Sequence, residues 1–191
     1  MRLFLALNLP EAVRDAAHAA HAPLRDAAPA VGWTTPDKLH LTVKFIGERP
    51  PEAVDALAAA AARAAARHAP VVLGLANFGA FPNRRRPRVL WLGVRPDPRL
   101  ELLHHDVELA CAELGLSVEG RPFRPHVTLG RVRPGGAPVD PQALAQAARA
   151  VHFRVEVTVE TLDLMLSEPA PGGTRYTPLA RAPLAGDPRP H

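Results

Sequence analysis

The sequence predicts an α+β protein: an internally duplicated, bilobal fold in which two mainly antiparallel sheets face a central cleft, with helices packed outside. Three observations predict it. Apolar runs with the two-residue period of strands alternate with Ala-rich stretches of helical period through all but the last ten residues. The order of these runs in the first half is repeated in the second. One short pattern then occurs once per half, as His40-Leu41-Thr42-Val43 and His126-Val127-Thr128-Leu129, 86 residues apart and each inside an alternating run.

The elements follow in order. Arg2 to Leu9 is a compact apolar run, a buried strand stopped by Pro10, and Glu11 to Ala27 is an Ala-rich helix with its charges on one side. Val31 to Thr34 is a short strand. Leu39 to Ile46 alternates, with Leu41, Val43 and Phe45 on one face, His40, Thr42 and Lys44 on the other, and Gly47 ending it. Pro51 opens a second helix that continues to Arg67. Val71 to Phe78 and Arg88 to Val94 are strands joined by the turn-rich Pro82-Asn83-Arg84-Arg85-Arg86-Pro87.

In the second half, Pro98 to Leu114 is a helix terminated by Gly115. Arg124 precedes a proline and is therefore biased toward extended geometry, which suits the start of the strand His126 to Val132. After Gly135-Gly136 comes a helix from Pro141 to Ala150, then strands Phe153 to Met165 and Tyr176 to Ala182 around Gly172-Gly173. Residues 1–184 are expected to form a single two-lobed domain, and Ala185 to His191 an unstructured tail. Neither glycine pair is followed by the Lys-Thr or third Gly of a nucleotide-binding loop, which argues against kinase-like and dinucleotide-binding readings.

Composition narrows the class. With 47% hydrophobic and 22% charged residues the chain is globular and long enough for a sizeable core. All but two of its 23 basic residues, Lys38 and Lys44, are Arg, a ratio that coding bias explains. The net charge of +4 favours a polyanionic partner. A single cysteine, Cys111, leaves no intramolecular disulfide and no Cys-based zinc cluster. The run after Arg2 is too short for a signal peptide, and no segment reaches the ~18 apolar residues of a membrane span. The default expectation is a cytoplasmic monomer without membrane attachment.

The repeated pattern carries the chemistry. In a strand, residues i and i+2 share a face, so His40 projects with Thr42 and His126 with Thr128. Two imidazoles and two hydroxyls suit a phosphodiester: one imidazole takes a proton from the nucleophile, the other protonates the leaving oxygen, and the hydroxyls hold phosphate oxygens. A free imidazole pKa near 6.5 lets one ring be neutral and the other charged at neutral pH. A single His-x-Thr triplet carries little weight; two in matching contexts carry much more. The residues alone are symmetric as to which histidine is acid and which is base.

These motifs resemble the two-histidine phosphoesterase superfamily. Arg2-Leu3-Phe4-Leu5-Ala6-Leu7, Leu39 to Gly47, Phe81-Pro82 with Pro87-Arg88-Val89-Leu90-Trp91, and Phe123-Arg124-Pro125 before the second motif narrow the likeness. Together they resemble the bacterial and archaeal RNA 2′,3′-cyclic phosphodiesterases, historically called 2′-5′ RNA ligases, over roughly Met1 to Leu184. The resemblance implies hydrolysis of a 2′,3′-cyclic phosphate at an RNA end to a 2′-phosphomonoester, with no metal or other cofactor. It assigns His40 as the acid toward O3′, His126 as the base on water, and Thr42 and Thr128 as ligands of the non-bridging oxygens. It also implies a role for Arg131. Strict alternation puts Arg131 on the face opposite His126, so that role requires a bulge near Gly130.

Several other residues have two readings. Phe45, Trp33 and Tyr176 are candidates to stack on a base of the RNA end. For Phe45 the alternation with Leu41 and Val43 favours the core, and Tyr176 remains a substrate-binding candidate. Arg84, Arg85, Arg86 and Arg88 are either a solvated loop or a contact to the RNA backbone. His104 and His105 diverge on a helix and make a poor metal site, and His18 and His21 read as surface residues. Two alternatives to hydrolysis stay open: the reverse reaction, which joins a 5′-hydroxyl in a 2′-5′ linkage, and a basic module that grips RNA without turning it over.

Overall fold

The computed structural model describes residues 1–83, 85–136, 138–171 and 173–186. Among these residues lie nine strands, all paired antiparallel. One half of the sheet contains β1 (Arg2–Asn8), β3 (His40–Glu48), β8 (Thr161–Ala170) and β9 (Gly173–Pro183). The other contains β4 (Val71–Phe81), β5 (Val89–Val94), β6 (His126–Val132) and β7 (Arg154–Val159), with the short β2 (Val31–Trp33) added to β6. The strand order is β7-β4-β5-β6-β3-β1-β8-β9. The two expected sheets are therefore joined edge to edge, and the seam is the single residue pair Leu41 and Val127.

Five helices complete the fold: α1 (Glu11–Ala20), α2 (Ala22–Ala27), α3 (Ala53–Ala65), α4 (Pro98–Ala112) and α5 (Pro141–Ala150). Helices α4 and α5 start as their sequences dictate. Asp97 and Asp140 accept hydrogen bonds from the backbone N–H groups of Arg99 and Gln142, each at 2.8 Å, and a proline occupies the first helical position. Helix α3 packs on β8 and β9, α4 on α3 and β3, and α2 on α5. Leu3, Leu5, Leu7, Leu41, Leu73, Leu75, Leu90, Leu92 and Val127 bury their side chains in one continuous core.

Some elements differ from the sequence expectation. The expected helix 11–27 is broken at His21, because Pro23 has no N–H to donate and its ring would strike the Ala19 carbonyl. The break turns His21 inward, to 1% exposure, where it had been expected at the surface. The expected strand from Phe153 to Met165 is interrupted at Glu160: β7 pairs with β4, whereas β8 pairs with β1 and β9. The chain crosses there from one half of the sheet to the other. The long helix of the second half ends at Ala112, and Gly115 adopts φ +78° just beyond it. Residues 187–191 of the expected tail, Gly172 of the last turn and Arg84 of the basic loop lie outside the described residues.

The largest departure lies in β3. Leu5 pairs with Lys44 but Ala6 pairs with Thr42, so Val43 is an extra residue, and a second irregularity follows at Ile46. Beyond the first bulge the faces exchange. Lys44 turns inward and donates to Glu108 on α4 at 2.7 Å and to the Ser117 carbonyl at 3.1 Å. Phe45, expected in the core, is instead 66% exposed.

The Lys44–Glu108 pair is almost fully buried, so each charge depends on the other. Glu108→Gln leaves the Lys44 ammonium uncompensated and is expected to lower the unfolding free energy by about 3–5 kcal/mol in urea titration. The double change Lys44→Met/Glu108→Met should recover a large part of that loss. A single variant as stable as the parent would show that the pair carries no such weight.

Candidate active site

Pairing of Leu41 with Val127 brings the two His-x-Thr triplets side by side on one face. In an antiparallel register this sets His40 across from Thr128 and Thr42 across from His126. Leu41 and Val127 themselves point to the opposite face and are fully buried. The four groups expected to act together are therefore adjacent, and their arrangement has an approximate twofold symmetry about the seam.

The symmetry extends to the ring nitrogens. His40 Nδ1 lies 2.7 Å from the Lys38 carbonyl oxygen, and His126 Nδ1 lies 2.8 Å from the Arg124 carbonyl oxygen. A carbonyl only accepts, so each Nδ1 carries the proton and donates it. Each Nε2 is then the nitrogen free to take or give a proton. The local cause is the same twice over: the chain before each histidine is held extended or turned, by the 3₁₀ turn Pro36–Lys38 in one case and by Pro125 in the other.

Aromatic rings flank both imidazoles. Phe4 and Tyr176 approach His40 at 5.0 and 5.2 Å between centroids, and Phe81 and Trp91 approach His126 at 5.1 and 6.5 Å. The small Ala6, directly across from Thr42, lets Phe4, Met165 and Tyr176 close over it. On the other half a Cβ at Gly79 would overlap the indole of Trp91, so only glycine admits that ring. Phe4, Phe81 and Trp91 were not anticipated as site residues. The missing signal was strand register, which puts Trp91 opposite Thr128.

A bulge near Gly130 sets the direction of Arg131. Leu90 pairs with Gly130 but Trp91 pairs with Thr128, so Leu129 is an extra residue and Leu129 and Gly130 both face inward. A Cβ on Gly130 would come within 2.8 Å of Val31, so the inward turn needs glycine. Arg131 then emerges on the histidine face. Phe45 and Arg131 thus occupy equivalent positions, each five residues after its histidine.

Burial and charge both depress the histidines. Desolvation, and after it the charges of His126 and Arg131, outweigh the Lys38 carbonyl and push His40 down to about 4. Desolvation and the Arg131 charge likewise lower His126 against the pull of the Arg124 carbonyl. Both rings are neutral near pH 7 in the free protein. A cluster that opposes its own protonation and presents a guanidinium is suited to an anion, whose charge would reverse the shifts.

The remaining candidates are placed elsewhere. Trp33 donates from Nε1 to the Ala28 carbonyl at 2.9 Å and packs on the core, so it is not a free stacking surface. His104 stacks on Phe123 at 4.0 Å between ring centroids, with Nε2 3.6 Å from Glu108. Arg85 and Arg86 lie on an exposed turn in which their N–H groups bond the Asn83 side chain. Among the described residues no helix is long and apolar enough to cross a membrane.

Known proteins share this arrangement of strands and helices. Residues 9–169 match the 2′-5′ RNA ligase superfamily. A Thermus thermophilus protein named RNA 2′,3′-cyclic phosphodiesterase is 38% identical over 98% of this chain and 92% of its own. One of the same name from Escherichia coli is 34% identical over 94% of each chain. The chain spans 58% of the length of a third, from Geobacillus stearothermophilus, also at 34% identity. Among solved structures, TT0787 of Thermus thermophilus superimposes with a TM-score of 0.82 at 34% identity, covering 98% of this chain and all of that one. Escherichia coli LigT complexed with 3′-AMP gives 0.73 at 34% identity, over 96% of this chain and 97% of that one.

Because the Arg131 charge lowers both imidazoles, Arg131→Gln should raise both pKa values in the free protein, His40 upward from about 4. NMR titration of the imidazole C–H resonances reads the shift directly. Two unmoved titrations would place the guanidinium outside the field of the site.

Proposed function

The chain belongs to the 2′-5′ RNA ligase superfamily, and from that premise we propose that it hydrolyses 2′,3′-cyclic phosphate ends of RNA to 2′-phosphomonoesters. The observation that carries this reading is the pair of imidazoles on one face of the sheet, one on each side of the Leu41–Val127 seam, each with Nδ1 held by a backbone carbonyl so that Nε2 is the nitrogen left for proton transfer. An in-line displacement at phosphorus needs a base on the side of the attacking oxygen and an acid on the side of the leaving oxygen. Two imidazoles facing one space from opposite lobes supply both.

In this mechanism His126 Nε2 takes a proton from water as the water oxygen bonds to phosphorus. The P–O3′ bond breaks on the opposite side, and O3′ takes the proton of His40 Nε2–H. The phosphate remains on O2′, and exchange with solvent restores the two protonation states. Thr42 and Thr128 donate to the non-bridging oxygens, and Arg131 balances the charge of the phosphate. Tyr176 holds the His40 ring edge-on, and exposed Phe45, on the same face, is available to stack on the terminal base.

His40 is the harder ring to protonate in the free protein, yet it is the assigned acid. The substrate resolves this conflict. A cyclic phosphate monoanion beside His40 favours the imidazolium, so the acid is loaded when the substrate is bound. The pKa of the acid should therefore lie higher in the pH profile of kcat, which reports the complex, than in that of kcat/KM, which reports the free enzyme.

Incubation with a 2′,3′-cyclic nucleotide, followed by phosphorus NMR, tests the reading: the expected product carries its phosphate on O2′. A 3′-phosphate would exchange the roles of His40 and His126, and no turnover with nucleotide bound would leave a gripping module. His40→Ala and His126→Ala are each expected to reduce turnover by about 10²–10⁴-fold, with the circular dichroism of the fold retained. Near-parental turnover in either folded variant would refute the acid–base pair.

A further inference from the structure

A cavity of about 590 Å³ opens at the outer end of the β4–β7 half, where β4 meets the C-terminal turn of α5. Two arginines and a histidine line it: Arg149 on α5, His152 in the connection, and Arg154 at the start of β7. Among the described residues none of the three side chains has a hydrogen bond or ion pair. No carboxylate among the described residues lines the cavity. The nearest acid along β7, Glu156, is taken up by Arg95. The C-terminal end of α5 contributes partial negative charge, which Arg149 in its last turn offsets, so Arg154 sets the sign. Phe78, Val151 and Phe153 supply apolar surface beside the charges.

Strand register connects this cavity to the histidines. Arg154 pairs with Ala76, Ala76 with Gly93, and Gly93 with His126. Directly paired residues share a face, so the row crosses the catalytic side of the sheet from His126 to Arg154. Three strand spacings make it about 14 Å long. Its two middle positions, Gly93 and Ala76, carry nothing larger than a methyl group, which leaves a shallow track with the Trp91 ring along it. β7 begins at Arg154 and pairs with β4 only as far as Ala76, and Phe81 at the far end of β4 lies beside His126.

We propose that this track and cavity seat the RNA upstream of the reacting end, with Arg149, His152 and Arg154 contacting backbone phosphates and the apolar wall receiving a base. The inference rests on the cleft being the site of cyclic phosphate hydrolysis. A concave site with unpaired cations, an apolar wall and no acid is complementary to single-stranded RNA. The Arg85–Arg86 turn is exposed, its N–H groups bonded to the Asn83 side chain. The RNA therefore leaves the cleft across the β4–β7 half, away from that turn.

The test compares kcat/KM for a cyclic mononucleotide with that for oligoribonucleotides of increasing length ending in a 2′,3′-cyclic phosphate. In the parent protein the ratio of oligonucleotide to mononucleotide should rise about tenfold or more once the chain reaches the cavity. Arg149→Ser/Arg154→Ser should abolish that rise and flatten the log–log salt dependence of oligonucleotide binding by about 1.4, or about 0.7 per single-strand phosphate contact. Persistence of the rise in the double variant, its absence from the parent, or its loss instead in Arg85→Ser/Arg86→Ser would overturn the inference. Fluorescence anisotropy of a labelled oligoribonucleotide with a terminal phosphate reads the same contacts without turnover. If no substrate is hydrolysed, weaker binding by the Arg149/Arg154 variant still supports the track while the catalytic reading fails, and unchanged binding rejects the track.

Discussion

One extra residue after each His-x-Thr triplet sets the chemistry of this cleft. Without a bulge, the fifth residue after a histidine would point away from it. With Val43 and Leu129 inserted, Phe45 and Arg131 return to the histidine face. The two insertions have different consequences because the residue that turns inward differs. In β3 it is Lys44, whose charge is buried and must be met by Glu108. In β6 it is Gly130, which lets β2 lie close against the strand. One half of the cleft thus gains an aromatic ring and the other a cation.

Electrostatics follow from that placement. Both imidazoles are desolvated by their own sheet and by flanking aromatic rings, and the Arg131 charge depresses them further. The free site is a nest of neutral bases beside a guanidinium, unfavourable to protons and favourable to an anion. In the proposed mechanism a phosphate would complete it twice, as ligand and as the negative charge that lets an imidazolium form. Backbone carbonyls at both Nδ1 positions hold the tautomers, so the same nitrogen of each ring is ready in either protonation state.

The seam between the halves is correspondingly slight. A single residue pair, Leu41 with Val127, joins β3 to β6, and both side chains are sealed into the core behind it. A longer ladder would press the two triplets into a flat surface. A single pairing keeps the histidines in register while the halves curl apart. Helix α4, which follows β5 in the chain, packs behind β3 on the other half, and this exchange ties the lobes together where the sheet barely does.

The α+β class, the repeated order of elements and both His-x-Thr pairs were legible in the sequence, because strand and helix periods and the i, i+2 relation are local properties of the chain. Helices α4 and α5 declared their starts through Asp-Pro pairs, and β6 its limits through the proline before it and its alternation. The faces of Lys44 and Phe45 were not legible, since a bulge arises from pairing with β1, a partner far away in sequence. For the same reason an apolar run from Phe153 to Met165 could not reveal that it serves two halves of the sheet. The sequence by itself determined which groups are present and which two sets of them travel together. Tertiary structure decided which way the fifth residue points, how deeply each imidazole is desolvated and which rings surround it, because those depend on register and burial between strands distant in the chain.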